Sequence, residues 1–406
     1  MGEQLNPYDE LPYRSAPIEW SAPERLAVTS LLHGGPRVRL DRYRMLELGC
    51  GDGTNLLALA YYRPHASFVG VDGSARHIES ARARASDLHL DNLTFLHTDL
   101  RDADAQLDGR FEFIVAHGVI SWVPDDARDA VLAIHRTRLA PNGIVYLNYN
   151  AEPGWSVRGL VRDFLLAQTR DADGLLARSL ACKVVSATLA EVLARSEHAW
   201  SQLMAAELRI VAGAEPSYIA HEYLSPENRR YWRSEFAALA SAHGLVMVGD
   251  ADFDQLGGAA DPSLDAWLET EAIQGRALED TSDLVRFRQL HSPLLTPAPW
   301  AQALPGPDEI GDLFVASSLA LQGDDRAGQS VGRGVLVGAA RAVDAGVAHV
   351  AVDEHADAHV DVGGHHDVGV LEARNPVLRV ILKPVGLGAV ERARRRHRVG
   401  AAGHVG

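Results

Sequence analysis

MLELGCGDGTN, residues 45–55, decides the reading, because strand, glycine-rich turn and helix start follow one another there with an acidic residue at the strand's end. Met45 to Leu48 is a short run suited to a buried parallel strand. Gly49, Gly51 and Gly53 permit a tight turn and close backbone approach to a ligand, and Thr54 and Asn55 open the next helix. A dinucleotide fingerprint requires G-x-G-x-x-G, but the sixth position is Thr54 counted from Gly49 and Leu56 counted from Gly51. The pattern is E-x-G-x-G-x-G, which suits a nucleotide-type cofactor without a pyrophosphate. SFVGVDGS at 67–74 then gives a second apolar strand ending in Asp72. That acid stands about 20 residues beyond the glycine turn, where a carboxylate accepts hydrogen bonds from ribose hydroxyls.

Composition narrows the class. A chain of 406 residues with 47% apolar content suggests two to three domains and a sizeable core. No run approaches the roughly 18 apolar residues of a membrane span, and the start MGEQLNPYDELPY is acidic without a hydrophobic signal region, so a cytoplasmic protein is expected. Cys50 and Cys182 are too few for a disulfide framework or a thiolate zinc site, and Cys50 reads as a small filler in the loop. The net charge of −15 argues against a broad nucleic-acid footprint, which needs a basic face.

From Arg44 the chain alternates strand and helix, with strands expected near 44–48, 67–71, 93–97, 112–116 and 143–148 and helices near 54–62, 74–87 and 125–139. Such alternation means a parallel, doubly wound sheet whose ligands bind past the carboxyl ends of the strands. Past the third strand stand Asp99 and Leu100, past the fourth AHGVISWVP with His117, Gly118 and Trp122, and past the fifth NYNAEPGW with Tyr149 and Asn150. Upstream, Tyr8, Tyr13 and Trp20 lie on a proline-bounded arm before a short helix at 26–32, and they either cover a core edge or touch substrate. His221 and Glu222 invite a zinc reading, but Ser225 stands where H-E-x-x-H needs its second histidine.

Taken together, YDELPYRSAPIEWSAPERLA, LELGCGDG, VDGS, AHGVISWVP, NYNAEPGW and PSYIAHEYLSPENRRYW resemble the bacterial class I S-adenosylmethionine-dependent methyltransferases with a methyltransferase regulatory domain. Their best-known relatives are the rickettsial protein lysine methyltransferases. The likeness runs from about residue 7 to about residue 320. It implies an α/β fold, a Rossmann-like class I methyltransferase sheet, with a second, mainly helical regulatory domain. The expected organisation is an arm at 1–40, a cofactor domain at 41–150, a helical cap at 151–214, the regulatory domain at 215–320 and a tail at 321–406. That tail has no aromatic residue and reads as low-complexity and out of frame; its tract HADAHVDVGGHH is a compositional metal signal only.

The resemblance assigns roles. Glu47 orients the amino-acid end of S-adenosylmethionine, Gly49, Cys50, Gly51 and Gly53 pass beneath it, Asp72 holds the ribose, and Asp99 with Leu100 meets the adenine. The plainer account of Asp99 is a helix N-cap. Relatives often carry Leu where Gly73 stands. Tyr149 and Asn150 are the candidates for holding an acceptor amine through their oxygens, with Tyr149 or His117 assisting proton loss; a structural role is the alternative for His117. No metal is required. A protein substrate is expected, a small-molecule acceptor is the rival, and a protein that binds the cofactor only to present a surface is the non-enzymatic alternative.

Overall fold

The computed structural model describes residues 7–251 except 14, then Ser263, Ala266, Trp267 and Thr270, residues 279–300, and four short strands between 321 and 372. Five parallel strands come first: β1 (Arg44–Leu48), β2 (Ser67–Asp72), β3 (Leu93–His97), β4 (Phe111–Ala116) and β5 (Leu139–Leu147). Short pieces β6 (Tyr149–Ala151), β7 (Arg230–Tyr231) and β9 (Leu290–His291) form a separate three-stranded sheet, while β8 (Leu245–Asp250) and β10 (Pro293–Pro297) join the first. The large sheet runs β3-β2-β1-β4-β5-β10-β8. β10 pairs antiparallel with both β5 and β8, so β8 runs in the same sense as the first five. One reversed strand inserted beside the fifth closes a class I methyltransferase sheet. Its last two strands come from the segment expected to be a second, mainly helical domain.

Alternation of side chains along each strand sorts them onto two faces. Met45, Phe68, Phe113, Val115, Ile144, Tyr146 and Leu294 pack on one face with Leu26 of α2 (Pro23–Leu32), Leu56 and Leu57 of α3 (Thr54–Tyr62), and Ile78 and Ala81 of α4 (Ala75–Asp87). Leu46, Leu48, Ile114, Ala116, Val145, Leu147 and Leu295 turn to the other face, against Val131 and Leu132 of α5 (Asp125–Arg138) and Phe236 and Ala240 of α10 (Arg233–Ala242). Both faces are therefore covered, as parallel strands buried on two sides require.

Residues 154–222 supply α6 (Gly154–Gln168), α7 (Leu175–Leu193), α8 (Ala199–Gly213) and α9 (Pro216–Glu222), which share a third core of Val161, Leu165, Cys182, Leu208, Val211, Ile219 and Tyr223. The arm opens with α1 (Pro7–Glu10), and α11 (Glu279–Arg286) precedes β9. Compact units divide at residues 1–251 with 259–305 on one side and 252–258 with 306–406 on the other. In the second unit the described residues are β11 (Leu321–Gln322), β12 (Ala348–Val352), β13 (Asp357–Val362) and β14 (Gly369–Glu372), an antiparallel sheet in the order β11-β14-β13-β12. Of the histidine tract, His355, His365 and His366 lie outside the described residues, as do 312–320 and the basic stretch 391–399.

Candidate functional site

The loop after β1 is held from beneath by β2. The N–H groups of Gly49 and Cys50 donate to the Val71 carbonyl at 2.8 and 3.0 Å, and the Gly51 N–H donates to Asp72 Oδ2 at 2.9 Å. Gly51 has φ of +55°, and a Cβ there would stand 2.8 Å from Ser15 Oγ. Gly53 has φ of +75°, and a Cβ there would strike the Phe95 ring at 2.5 Å. Any side chain at either position meets both backbone strain and a clash. The remaining oxygen of Asp72, Oδ1, accepts from the Ser74 N–H at 2.8 Å and lies 3.7 Å from His77 Nδ1. Beyond it, the space over Gly73 is empty within 4 Å of an added Cβ, so a larger residue would fit where relatives carry Leu.

Glu47 is 3% exposed and sits under the loop. Its Oε2 accepts from the Asn55 amide at 3.1 Å. Burial, with Asp72 adding repulsion, pushes its carboxyl up to about 8 despite the help of Asn55. A cation delivered to this carboxylate would relieve that cost. Cys50 is buried and its thiol is raised by desolvation, consistent with a filler.

The arm, whose role the sequence left between packing and substrate contact, lies along this loop. Asn55 Oδ1 accepts from the Ile18 N–H at 3.0 Å, and the Asn55 amide donates to Ser21 Oγ at 3.0 Å. Ser74 Oγ donates to Asp9, whose carbonyl accepts from Arg76 at 3.2 Å. The Tyr8 ring stacks on His221 at 4.1 Å and lies 5.8 Å from the ring of His77. His221 Nε2 donates to the Leu11 carbonyl at 2.7 Å, and Tyr13 meets the same ring edge-on at 5.8 Å. The arm thus ties α9 to the acid at the end of β2. Trp20, by contrast, is exposed beside Arg25.

Other expected site residues separate into those near the loop and those elsewhere. Val119 reaches Gly49, so the segment after β4 borders the loop. His117 Nδ1 lies 2.9 Å from the Tyr146 hydroxyl and 3.2 Å from the Asn148 amide nitrogen, and burial pushes the imidazole down to about 4. A histidine so held is neutral and a weak base at physiological pH. Asp99 is not a helix cap: both carboxylate oxygens are taken by Arg101, at 2.8 Å to Nε and 2.7 Å to a terminal nitrogen, and Asp102 precedes the next short helix. Leu100 is part-buried against the α5 core.

Tyr149 requires a correction. It was expected at the acceptor, but it is 1% exposed, stacks on Phe236 at 4.1 Å and adjoins Tyr231 and His291. Among the described residues its buried hydroxyl has no partner. The physical reason is that residues 230–236 and 290–291 fold over β6 and enclose its ring in core. Asn150 faces a different environment: its N–H donates to Ser121 Oγ at 2.8 Å, while its buried amide nitrogen has no partner among the described residues. Trp122, from the same segment as Ser121, meets Trp155 of α6 edge-on at 5.6 Å.

A seven-stranded sheet with its reversed strand, a glycine loop over a buried glutamate and an acid ending β2 define a class I methyltransferase fold. Residues 46–145 match the family described as methyltransferase domain, and residues 215–296 match the predicted methyltransferase regulatory domain; the chain carries both. An uncharacterised protein of Rickettsia prowazekii is 32% identical over 251 residues, covering 62% of this chain and 45% of that protein. PKMT2 from Rickettsia typhi superposes with a TM-score of 0.68 at 22% identity, over 89% of this chain and 66% of that one. Its complex with AdoHcy gives 0.67 at 25% identity, over 77% and 60%. The chain spans about half the length of the Rickettsia prowazekii relative. Among the described residues, no helix is long and apolar enough to cross a membrane.

Proposed function

We propose that this chain binds S-adenosylmethionine over the loop Glu47 to Gly53 and transfers its methyl group to a lysine amine of a protein. The observation that carries the reading is Glu47, a carboxyl buried beneath a glycine loop with one amide partner, beside the acid Asp72. A ligand with an ammonium at one end and a ribose at the other satisfies both. Supporting the protein substrate is the likeness to PKMT2, a protein lysine methyltransferase that has been solved with AdoHcy.

Bound here, S-adenosylmethionine supplies an electrophilic methyl carbon on a sulfonium. The chain's residues hold the ligand and align the acceptor, which is where most of the acceleration of a displacement arises. Glu47 would pair with the ammonium and Asp72 would accept from the ribose hydroxyls. Asp99 can take the adenine amine only by sharing an oxygen with Arg101. Both cysteines are free, which fits a cytoplasmic protein.

Incubation with methyl-labelled S-adenosylmethionine and a cell lysate, separated into protein and metabolite fractions, tests the proposal. Label in protein, recovered as methyl-lysine after hydrolysis, is expected. Label confined to metabolites makes the acceptor a small molecule, and no label in either contradicts methyl transfer.

A further inference from the structure

The segment after β4 runs beside the cofactor loop, and its hydrogen bonds decide which nitrogen of His117 carries the proton. We infer, resting on the cofactor reading above, that His117 is protonated on Nε2 and donates a hydrogen bond from it to the carboxylate at the cofactor's amino-acid end. It thereby holds S-adenosylmethionine and does not take a proton from the acceptor.

Gly118 fixes the orientation. Its backbone N–H can only donate and meets Asn148 Oδ1 at 2.6 Å, so the other branch of that amide is the NH2 group. The NH2 group can also only donate, and it lies 3.2 Å from His117 Nδ1 and 3.4 Å from Nε2. Tyr146 brings its hydroxyl within 2.9 Å of the same Nδ1. A lone pair on Nδ1 accepts from both groups at the shorter distances, whereas a proton there would face the amide donor with a second donor. The neutral ring therefore keeps its hydrogen on Nε2. Burial pushes the imidazole down to about 4, in keeping with a ring whose other nitrogen is already occupied. Among the described residues Nε2 has no acceptor.

Strand register places this hydrogen near Glu47. Glu47 pairs with Val115 and Val115 with Tyr146, so the three form one row across β1, β4 and β5. His117 stands two residues beyond Val115, on the same side of the sheet, where it touches Tyr146. Its backbone is a diagonal step from that of Glu47, roughly 8 Å. With its ammonium on Glu47, an amino-acid ligand carries its carboxylate on the adjoining carbon, inside that step. Two neighbours leave the place open to a ligand. Gly118 has φ of +67° with nothing within 4 Å of an added Cβ, and Val119 stands 2.6 Å from a Cβ added to Gly49.

The loop itself has little to offer an anion. The N–H groups of Gly49 and Cys50 go to Val71, that of Gly51 to Asp72, that of Gly53 to Cys50 and that of Thr54 to Asp52. Glu47, Asp52 and Asp72 are acids on or beside the loop, and they repel a carboxylate. A neutral donor from β4, kept in its tautomer by Tyr146 and Asn148, offsets this without pairing with Glu47 itself.

Calorimetry on the full-length protein compares S-adenosylhomocysteine with its decarboxylated form, which keeps the ammonium, the sulfur and the adenosine. Wild type should favour S-adenosylhomocysteine by about tenfold, and His117→Phe should lose that preference. Affinity of His117→Phe for the decarboxylated ligand should stay within about twofold of wild type, which also reports that the variant folds. His117→Gln, which restores an N–H, should recover part of the preference. Nitrogen NMR of wild type labelled at histidine should show the His117 proton on Nε2 at neutral pH. A proton on Nδ1, equal affinity of wild type for the two ligands, or a preference that survives in His117→Phe overturns the inference and leaves the cofactor reading standing. A surviving preference joined to a raised KM for the protein acceptor would assign the Nε2 donor to the acceptor instead. Failure of both ligands to bind wild type overturns the cofactor reading.

Discussion

Binding of the cofactor should be linked to a proton through Glu47. Its carboxyl is pushed up to about 8 by burial, so below that pH the free protein holds it mainly as the neutral acid. Pairing with an ammonium needs the carboxylate, so the proton must leave first. For an acid of that strength the penalty is about 2.7 kcal/mol at pH 6, about 1.4 at pH 7 and about 0.4 at pH 8. Affinity for S-adenosylhomocysteine should therefore rise roughly tenfold per pH unit below 7 and level off near 8. Calorimetry in two buffers of different ionisation enthalpy should report nearly one proton released per ligand at pH 7. Glu47→Gln serves as the control, because it removes the titrating group and keeps any titration of the ligand itself. The unliganded protein gives a second readout with a definite sign. A carboxyl raised from 4.5 to about 8 disfavours the folded state progressively as pH climbs between those values, so Glu47→Gln should melt higher than wild type at pH 8 and close to it near pH 4. A flat affinity profile in wild type, or the same slope in Glu47→Gln, would refute the reasoning.

Asp72→Ala should weaken cofactor binding by about 1 to 3 kcal/mol, because it unpairs ribose hydroxyls and frees the Gly51 and Ser74 N–H groups that now donate to it; equilibrium dialysis measures this. Tyr149→Phe should leave turnover unchanged and thermal stability equal or slightly higher, since it deletes a buried hydroxyl that has no partner among the described residues; a large fall in kcat would return Tyr149 to the acceptor. His291 lies between Asp250 (3.0 Å) and Asp283 (2.7 Å), and the two carboxylates raise it against the opposing effect of burial. Its stabilising contribution is complete below 6.5 and lost as pH rises through its elevated value, so His291→Gln should lower the melting temperature more at pH 6 than at pH 9.

The first five strands were legible because each is a short apolar run followed by a turn residue, and β1 and β3 fall on 44–48 and 93–97 as expected. At the end of the sheet, Leu245 to Val248 also reads as a strand from its apolar run and falls in β8, but β10 was not legible. PLLTP is five residues bounded by prolines, and its pairing with Val145 and Tyr146 spans about 150 residues of chain, which no local periodicity reports. Asp72 and the loop were readable from spacing, since their hydrogen bonds join residues some 20 positions apart in a recurrent βαβ unit. Tyr149 misled because its place after β5 points to the ligand edge, while the chain that buries it arrives from 230–236 and 290–291. The arm's task was equally hidden. Tyr8 and His221 are 213 positions apart, so only their stacking shows that the aromatics at 8 and 13 pack on the end of α9.

The most direct measurement is a calorimetric titration of the full-length chain with S-adenosylmethionine and with NAD, repeated on Gly51→Val. One-to-one binding of S-adenosylmethionine, no binding of NAD, and loss of the first in Gly51→Val, where φ of +55° strains a branched side chain and its Cβ would meet Ser15 Oγ at 2.8 Å, are the predicted results. Binding of NAD, of neither ligand, or of S-adenosylmethionine undiminished in a folded Gly51→Val would contradict the account.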